Sequence, residues 1–405
     1  MSGVSIRILA GLIIGLVAGT LLSGSAAGNE MIVVAQPIGK LWLDALTMTV
    51  VPLVFSLLVT GIVGAAGNAG GSRLAPRALA WFAGLLIGAC LLGAIVTTFL
   101  LHLWPVPAGA AALRTAAGPP PQIGSTADWL TGFIPTNPIK AASDTAMVPL
   151  VVFALLFGFA ITRIETALQQ ALHDVFRAIV QAMLVIVQWV LFVAPIGVMA
   201  LAFAVGAKMG ISAAGALGHY VIVVATACLM TAILAYGAAA LLGRISPLAF
   251  ARAALPAQVV ALSTQSSLAS LPAMIEAADG LGVAKENAGI ILPLAVSVFR
   301  AASAAANISV TIYLAHLHGI ALGPGLLLLG ALVAAIVSLA AVGLPAQVSF
   351  FATIGPVCLA IGVPIELLPL LLAVETIPDI FRTFGNVTSD LAVTRIVARN
   401  PKLGG

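Results

Sequence analysis

The stretch "VETIPDIFRTFGNVTSD", residues 374–390, holds a glutamate, two aspartates and an arginine in a 405-residue chain of which only 7% is charged. A helix turning about 100° per residue would bring its ionic and amide side chains into an arc of about 80°. These side chains are Glu375, Asp379, Arg382, Asn386 and Asp390. Because charges are costly in lipid, the pattern predicts a helix whose polar face points into the protein or toward water. A purely structural ion-pair network is the alternative.

The rest of the chain is apolar enough to cross a membrane many times. Hydrophobic residues make up 61% of it, and they form runs of about 20 residues, the length that spans a hydrocarbon core. An open sheet would leave backbone groups unpaired in lipid. We therefore predict an all-α polytopic membrane protein with eight transmembrane helices, placed at about 5–26, 38–66, 78–104, 147–166, 175–205, 213–242, 285–315 and 367–394.

Two further stretches, 247–284 and 324–366, are apolar at both ends but interrupted in the middle. The interruptions read "STQSSLASLP" (263–272) and "AVGLPAQVS" (341–349). Non-helical backbone at membrane depth survives only where it is buried or lines a wet cavity, and paired interruptions in the later part of a chain indicate a binding site. We predict two re-entrant helical hairpins. Ser and Gly used for close helix packing would be the alternative.

The ionic side chains of residues 374–390 suit different parts of one ligand. The planar guanidinium of Arg382 can hold a carboxylate through two hydrogen bonds. Asp379 can pair with that arginine or receive an ammonium group, so the two side chains together fit an acidic amino acid. Asn386 and Asp390, one turn apart, offer oxygen atoms to a small cation.

Other function classes find no support in the sequence. No catalytic triad, nucleotide-binding loop or metal-ligand cluster occurs, so we expect neither an enzyme nor a cofactor. The three cysteines all lie inside apolar runs, and the net charge of +4 is spread through loops rather than collected in a nucleic-acid-binding patch. Most Lys and Arg residues fall on the side of the termini. The positive-inside rule then predicts a multi-pass protein of the plasma (inner) membrane with both termini cytoplasmic.

Residues 375–390 resemble the last helix of the dicarboxylate/amino acid:cation symporter family, the glutamate and aspartate transporter homologues. That helix has an acid, an aspartate, an Arg-Thr pair, an Asn-Val-Thr and a final aspartate at this spacing. Similar stretches cover most of the chain. They include "VVPLVFSLLVTGIVGAAG" (50–67), "IPTNPIKAASDTAMVPLVVFALLFGFAI" (134–161), "APIGVMALAFAVG" (194–206) and "ILPL" (291–294).

The resemblance implies a homotrimer with the elevator-type glutamate transporter fold. Residues 1–75 and 105–210 would form its scaffold and trimerisation domain, and 76–104 and 211–405 its transport domain. By the same resemblance, Asp379 would hold the amino group of an aspartate or glutamate substrate and Arg382 its side-chain carboxylate. The remaining substrate-binding residues would be Ser266, Ser267, Ser303, Gly343, Leu344, Pro345, Thr383 and Asn386.

Span seven departs from the family pattern. Where the family has an unwound Asn-Met-Asp-Gly-Thr that supplies sodium ligands, this chain reads "FRAAS", residues 299–303. Two cation ligands are replaced and a cation, Arg300, is introduced. We predict that Arg300 does the electrostatic work of a bound sodium ion, with Glu375 or Asp390 as its partner. A structural salt bridge with either carboxylate is the alternative.

Charge counting then predicts the coupling. The buried charges would be Arg300 and Arg382 against Glu375, Asp379 and Asp390, so 2 − 3 = −1, and an acidic amino acid lowers the sum to −2. Proton uptake on Glu375 or Asp390 would compensate. We predict transport that is coupled to protons, or is exchange, and that depends weakly on sodium through a residual site at Asn386 and Asp390. The alternatives are a C4-dicarboxylate carrier and an uncoupled sensor or anion-channel relative.

Overall fold

The computed structural model describes residues 3–68, 74–107, 134–210, 212–340 and 346–399, and these residues form helices and turns with no strand among them. In chain order the helices are α1 (Gly3–Leu21), α2 (Ala26–Thr47), α3 (Val50–Asn68), α4 (Leu74–Leu103), α5 (Pro138–Ser143), α6 (Met147–Ile161), α7 (Thr166–Phe192), α8 (Ala194–Met209), α9 (Ser212–Leu241), α10 (Pro247–Thr264), α11 (Leu271–Gly280), α12 (Lys285–Val298), α13 (Ala301–His318), α14 (Pro324–Ala340), α15 (Ala346–Ala360), α16 (Leu368–Val374) and α17 (Thr376–Ala398).

Helices of membrane-spanning length and composition run through the described part of the chain. Five such segments occur there: Ala26–Gly64, Pro76–Leu103, Thr166–Phe192, Ala214–Leu241 and Lys285–His318. The all-α membrane fold is therefore confirmed. The count of eight spans and the re-entrant course of the two interrupted stretches stay predictions.

Four of the predicted spans are not single helices. The span 285–315 divides into α12 and α13, and the other three divide near a proline. A junction separates α2 from α3, α7 from α8 and α16 from α17. Each junction lies just before a proline: Pro52, Pro195 and Pro378 respectively. Proline has no N–H for the carbonyl four residues earlier, and its ring crowds that carbonyl, so the helix ends and restarts there. The predicted span 38–66 also starts too late, because Ser25 caps α2 by accepting a hydrogen bond from the amide of Gly28.

The two interrupted stretches each form a pair of packed helices. In the first, α10 ends at Thr264 and α11 begins at Leu271, so the break falls where the sequence predicted it, and Gln265 takes a left-handed conformation at the turn. The two helices pack against each other. In the second, α14 and α15 also pack together, and residues 341–345 between them lie outside the described residues.

Helix contacts fall into two groups. In one, α1 and α2 pack on α8, while α3 packs on α6 and α7. In the other, α4, α9 and α13 surround α17, which also contacts α10 and α12. Close approach in the first group needs a residue without a side chain, because a Cβ on Gly15 of α1 would collide with the carbonyl oxygen of Met199 on α8. The division into scaffold and transport domains stays a prediction.

Candidate functional site

The polar face of α17 lies inside the protein, as the sequence predicted. Glu375 at the α16–α17 junction and the other ionic and amide residues of this face are buried, none of them more than 7% exposed. Gly385 lets α17 approach its neighbours, since a Cβ there would lie 2.6 Å from the Cβ of Ala302 on α13 and 3.1 Å from the carbonyl oxygen of Cys228 on α9. The face is therefore enclosed by α9 and α13.

At one end of this face, a single guanidinium holds two carboxylates. Arg382 forms an ion pair with Glu375 through Nη2, and its Nη1 lies 3.5 Å from Oδ1 of Asp379. Tyr220 on α9 donates a hydrogen bond of 2.5 Å to Oε2 of Glu375. We call these four residues the Arg382 cluster. Two carboxylates against one guanidinium give it a net charge of −1 when all are ionised. The sequence analysis missed Tyr220, because an isolated tyrosine in an apolar helix carries no signal of its partner.

At the other end, Asn386 caps the start of α13. Helix α12 ends at Val298, and Phe299 and Arg300 have non-helical dihedral angles, with ψ of 79° and 64°. The side-chain oxygen of Asn386 accepts hydrogen bonds from the amides of Ala302 (3.0 Å) and Ser303 (3.1 Å), and its Nδ2 donates to Oγ of Ser303 at 2.9 Å. Those amides belong to the first turn of a helix, where no intrahelical acceptor exists. A side chain from α17 thus supports a helix break that contains neither Gly nor Pro.

Asp390 and Arg300 lie near this break. Asp390 is fully buried, and neither of its carboxylate oxygens accepts a hydrogen bond from the described residues. The charge of Arg300 acts on both Asp390 and Asp379. Glu375, the other partner predicted for Arg300, is held by Arg382 and Tyr220. We call Arg300, Ser303, Asn386 and Asp390 the Asp390 end of the polar face.

The predicted substrate residues of the first hairpin lie at its tip. Ser266 and Ser267 are half-buried in the turn between α10 and α11. The hydroxyl of Ser266 accepts a hydrogen bond from the amide of Ala269 within the same turn. No hydrogen bond joins either serine to the Arg382 cluster within the described part of the chain. Thr383 is buried on α17. The predicted residues Gly343, Leu344 and Pro345 lie outside the described residues.

Both interrupted stretches are tied to the core by amide side chains that the sequence analysis missed. Gln258 of α10 donates a 2.9 Å hydrogen bond to Thr388 of α17. Asn307 of α13 donates to Ser338 of α14 at 3.1 Å and accepts from Thr353 of α15 at 3.2 Å, so one side chain holds both arms of the second pair. A buried Asn or Gln in an apolar helix is the only sequence signal for such a link.

The widest of the described cavities lies away from the polar face of α17. A cavity of about 530 Å³ lies between α1, α2 and α8, and Glu30 is the one ionisable residue that lines it. None of the predicted site residues reaches it. Within the described ranges, no three His, Cys, Asp or Glu side chains are grouped so as to hold a metal ion.

Apolar helices that enclose an ion-paired site in this way are expected of a membrane transport protein. The family described as the sodium:dicarboxylate symporter family matches residues 4–400, and the chain belongs to it. The predicted resemblance is therefore confirmed. The prediction that the chain is not an enzyme is also confirmed, because the family is one of symporters.

Relatives of this family carry two kinds of name. The chain is 27% identical to the "Proton/glutamate-aspartate symporter" of Escherichia coli over 97% of its own length and 92% of the relative. It is 26% identical to the "Proton/sodium-glutamate symport protein" of Bacillus subtilis, over 98% and 92%. It is 25% identical to "C4-dicarboxylate transport protein 1" of Pseudomonas aeruginosa, over 97% and 87%. The relatives are thus named for acidic amino acids or for C4-dicarboxylates, and all of them resemble this chain over nearly its whole length.

Proposed function

We propose that the chain is a secondary active transporter of aspartate or glutamate. The observation that carries this proposal is the Arg382 cluster, in which a buried guanidinium lies between two carboxylates. A substrate carboxylate would take the place of Glu375 or Asp379 on Arg382, and the carboxylate released would accept the substrate's ammonium group. Retaining both Asp379 and Arg382 favours a ligand with charges of both signs over a plain dicarboxylate.

Coupling to protons, or exchange, follows from the charge balance of the site. The five ionic groups of the site sum to 2 − 3 = −1, and an acidic amino acid brings this to −2. Burying uncompensated charge is strongly unfavourable, so a positive charge must enter with the substrate. A proton on Glu375 or Asp390 supplies it. Asp390 is suited to this role because its oxygens accept no hydrogen bond from the described residues.

The positive charge of Arg300 at the Asp390 end supports a weak sodium dependence. Arg300 places a fixed positive charge whose field acts on Asp390 and Asp379, where a bound cation would act. The predicted residual sodium site would use Asn386 and Asp390. The side-chain oxygen of Asn386 already accepts two amide hydrogen bonds, so it would have to release these donors or share its oxygen with the ion.

The proposal extends to architecture and location. The two helix pairs α10–α11 and α14–α15 would be re-entrant hairpins whose tips gate the site, with 76–104 and 211–405 moving as an elevator against a trimeric scaffold of 1–75 and 105–210. Contacts of α10 and α13 with α17, and of α13 with α14 and α15, support a common transport unit. The protein would lie in the plasma (inner) membrane with both termini in the cytoplasm, in keeping with the charge of its loops.

A C4-dicarboxylate carrier is the second candidate, favoured by the relatives that bear that name. Reconstituted vesicles separate the two. We expect unlabelled aspartate or glutamate to abolish uptake of radiolabelled aspartate, and malate or fumarate to compete poorly. Strong competition by malate, with accumulation of labelled malate, would support the second candidate. Accumulation against a gradient also separates a coupled carrier from an anion channel or a sensor.

A further inference from the structure

A second group of polar side chains lies away from the polar face of α17, where the end of α4 meets α9 and α13. His219 on α9 is only 2% exposed. Its Nε2 lies 3.0 Å from the carbonyl oxygen of Trp104, and its Nδ1 lies 3.2 Å from the hydroxyl of Tyr313 on α13. That hydroxyl donates a 2.7 Å hydrogen bond to the carbonyl oxygen of Ala216. Three helices therefore meet in one chain of hydrogen bonds.

Counting protons along this chain shows which form of histidine it fits. A carbonyl oxygen only accepts, so the contact with Trp104 requires a proton on Nε2 of His219. The single proton of the Tyr313 hydroxyl points to Ala216, so the contact between that hydroxyl and Nδ1 is a hydrogen bond only if Nδ1 is protonated too. With neutral histidine, the single ring proton and the tyrosine hydroxyl proton together serve two of the three contacts, whereas imidazolium has the second ring proton that the third contact needs. The rings of Trp104 and His219 are nearly perpendicular, with centroids 4.3 Å apart, which is within the distance at which an aromatic face attracts a cation.

We infer that His219 is a proton-binding site that, when charged, fastens the Trp104 end of α4 to α9 and α13. Tyr313 is the titratable group that faces His219 from α13, and Tyr220 adjoins it on α9. From α4 it meets the backbone carbonyl and ring of Trp104. Helices α8, α10, α16 and α17 also pack on α9, but in the described part of the chain none of them places a charged side chain in contact with His219. Trp104 is 48% exposed, so protons have a short route to the site.

This site adjoins the Arg382 cluster without belonging to it. Tyr220 follows His219 in the chain and donates to Glu375, and its ring packs edge-on against that of Tyr313, with centroids 5.3 Å apart. Protonation of His219 would therefore restrict the motion of the α9 segment that positions Tyr220. That consequence for transport rests on the proposed function, whereas proton binding itself does not.

Tryptophan fluorescence of the purified protein tests the inference without any transport. A nearby imidazolium quenches indole emission, and Trp104 is one of five tryptophans. We expect acidification across roughly pH 8 to 4, a wider range than that in which an exposed histidine titrates, to reduce emission by up to about one fifth. His219→Gln and Trp104→Phe should each abolish this change. His316→Gln should leave it intact, since His316 bonds the carbonyl of Ile312 within its own helix.

Tyr313→Phe tests the proton count. It removes the acceptor of the second imidazole proton, so the midpoint of the quenching should move to lower pH. Absence of any titration in the unmodified protein, its persistence in His219→Gln, or an unmoved midpoint in Tyr313→Phe would each overturn the inference. Because the last variant lacks only one hydroxyl, the test holds even if His219→Gln does not fold. A transport assay at fixed pH then judges the proposed function separately.

Discussion

The two ends of the α17 polar face satisfy their buried charges in different ways. In the Arg382 cluster, opposite charges are in direct contact, and Tyr220 adds a hydrogen bond to Glu375. At the Asp390 end, the carboxylate accepts no hydrogen bond from the described residues, and the balancing charge comes from Arg300 at the break between α12 and α13. A paired cluster can exchange its partners for a ligand, whereas a carboxylate without hydrogen bonds is poised to take up a proton. We propose that the first end binds the substrate and that the second compensates its charge.

Arg382→Gln should have the largest effect. It would leave Glu375 and Asp379 buried without their cation, and breaking a buried ion pair costs about 3–5 kcal/mol. We expect binding of aspartate to weaken about 100-fold or more, measured by calorimetry on protein in nanodiscs. The matched control is Arg399→Gln, at the end of the same helix, where the guanidinium bonds the carbonyl of Leu242. Equal losses in both variants would mean that Arg382 has only a structural role.

Asp379→Ser should change selectivity. If Asp379 receives the substrate's ammonium group, the variant loses a charged hydrogen-bond partner, and we expect aspartate affinity to fall roughly 10- to 100-fold, on the order of 1.5–3 kcal/mol. Malate, which has no ammonium group, should lose much less. Asp279→Ser is the control, since that carboxylate is exposed and pairs with Lys285. Unchanged aspartate binding in Asp379→Ser would favour the C4-dicarboxylate carrier.

Arg300→Met should alter ion dependence more than substrate affinity. Without the guanidinium, Asp390 would need a mobile cation, so we expect sodium to stimulate aspartate uptake about tenfold, equivalent to about 1.4 kcal/mol of new cation binding. The double variant Arg300→Met/Asp390→Asn removes both charges and should lose this stimulation. An ion dependence in Arg300→Met identical to that of the unmodified protein would refute the idea that Arg300 replaces a sodium ion.

Tyr220→Phe should have a smaller effect on the Arg382 cluster. It removes one hydrogen bond to a charged group, which contributes about 1.5–3 kcal/mol. Part of this free energy is recovered because Glu375 can move closer to Arg382. We expect aspartate affinity to change about tenfold or less. Tyr236→Phe serves as the control, because its hydroxyl bonds Gln258 instead. If both variants behaved alike, Tyr220 would not be positioning Glu375.

Thr97→Val should have the smallest effect and act on stability alone. The hydroxyl of Thr97 on α4 donates a 2.6 Å hydrogen bond to Ser309 on α13, away from both ends of the polar face. Its loss should cost about 1 kcal/mol, seen as a Tm lower by a few degrees with substrate affinity unchanged. A large loss of affinity would show that the α4–α13 contact is part of the binding site.

The sequence predicted most of the helical fold and the burial of the α17 face, because both depend on periodicity. It predicted continuous spans where Pro52, Pro195 and Pro378 end helices, although those prolines were visible. Contacts between distant side chains could not be predicted from the sequence. Nothing in "FRAAS" shows that Asn386, more than 80 residues later, supports a helix break there, and no local pattern connects Tyr220 to Glu375 or Asn307 to two helices at once.

The most direct test of the account is uptake of radiolabelled aspartate by the unmodified protein in reconstituted vesicles under separately imposed pH and sodium gradients. If a built-in guanidinium takes the place of a coupled sodium ion and a buried carboxylate carries the proton, an inward proton gradient should drive accumulation and a sodium gradient at fixed pH should add little. Accumulation driven by sodium and indifferent to pH would contradict the account.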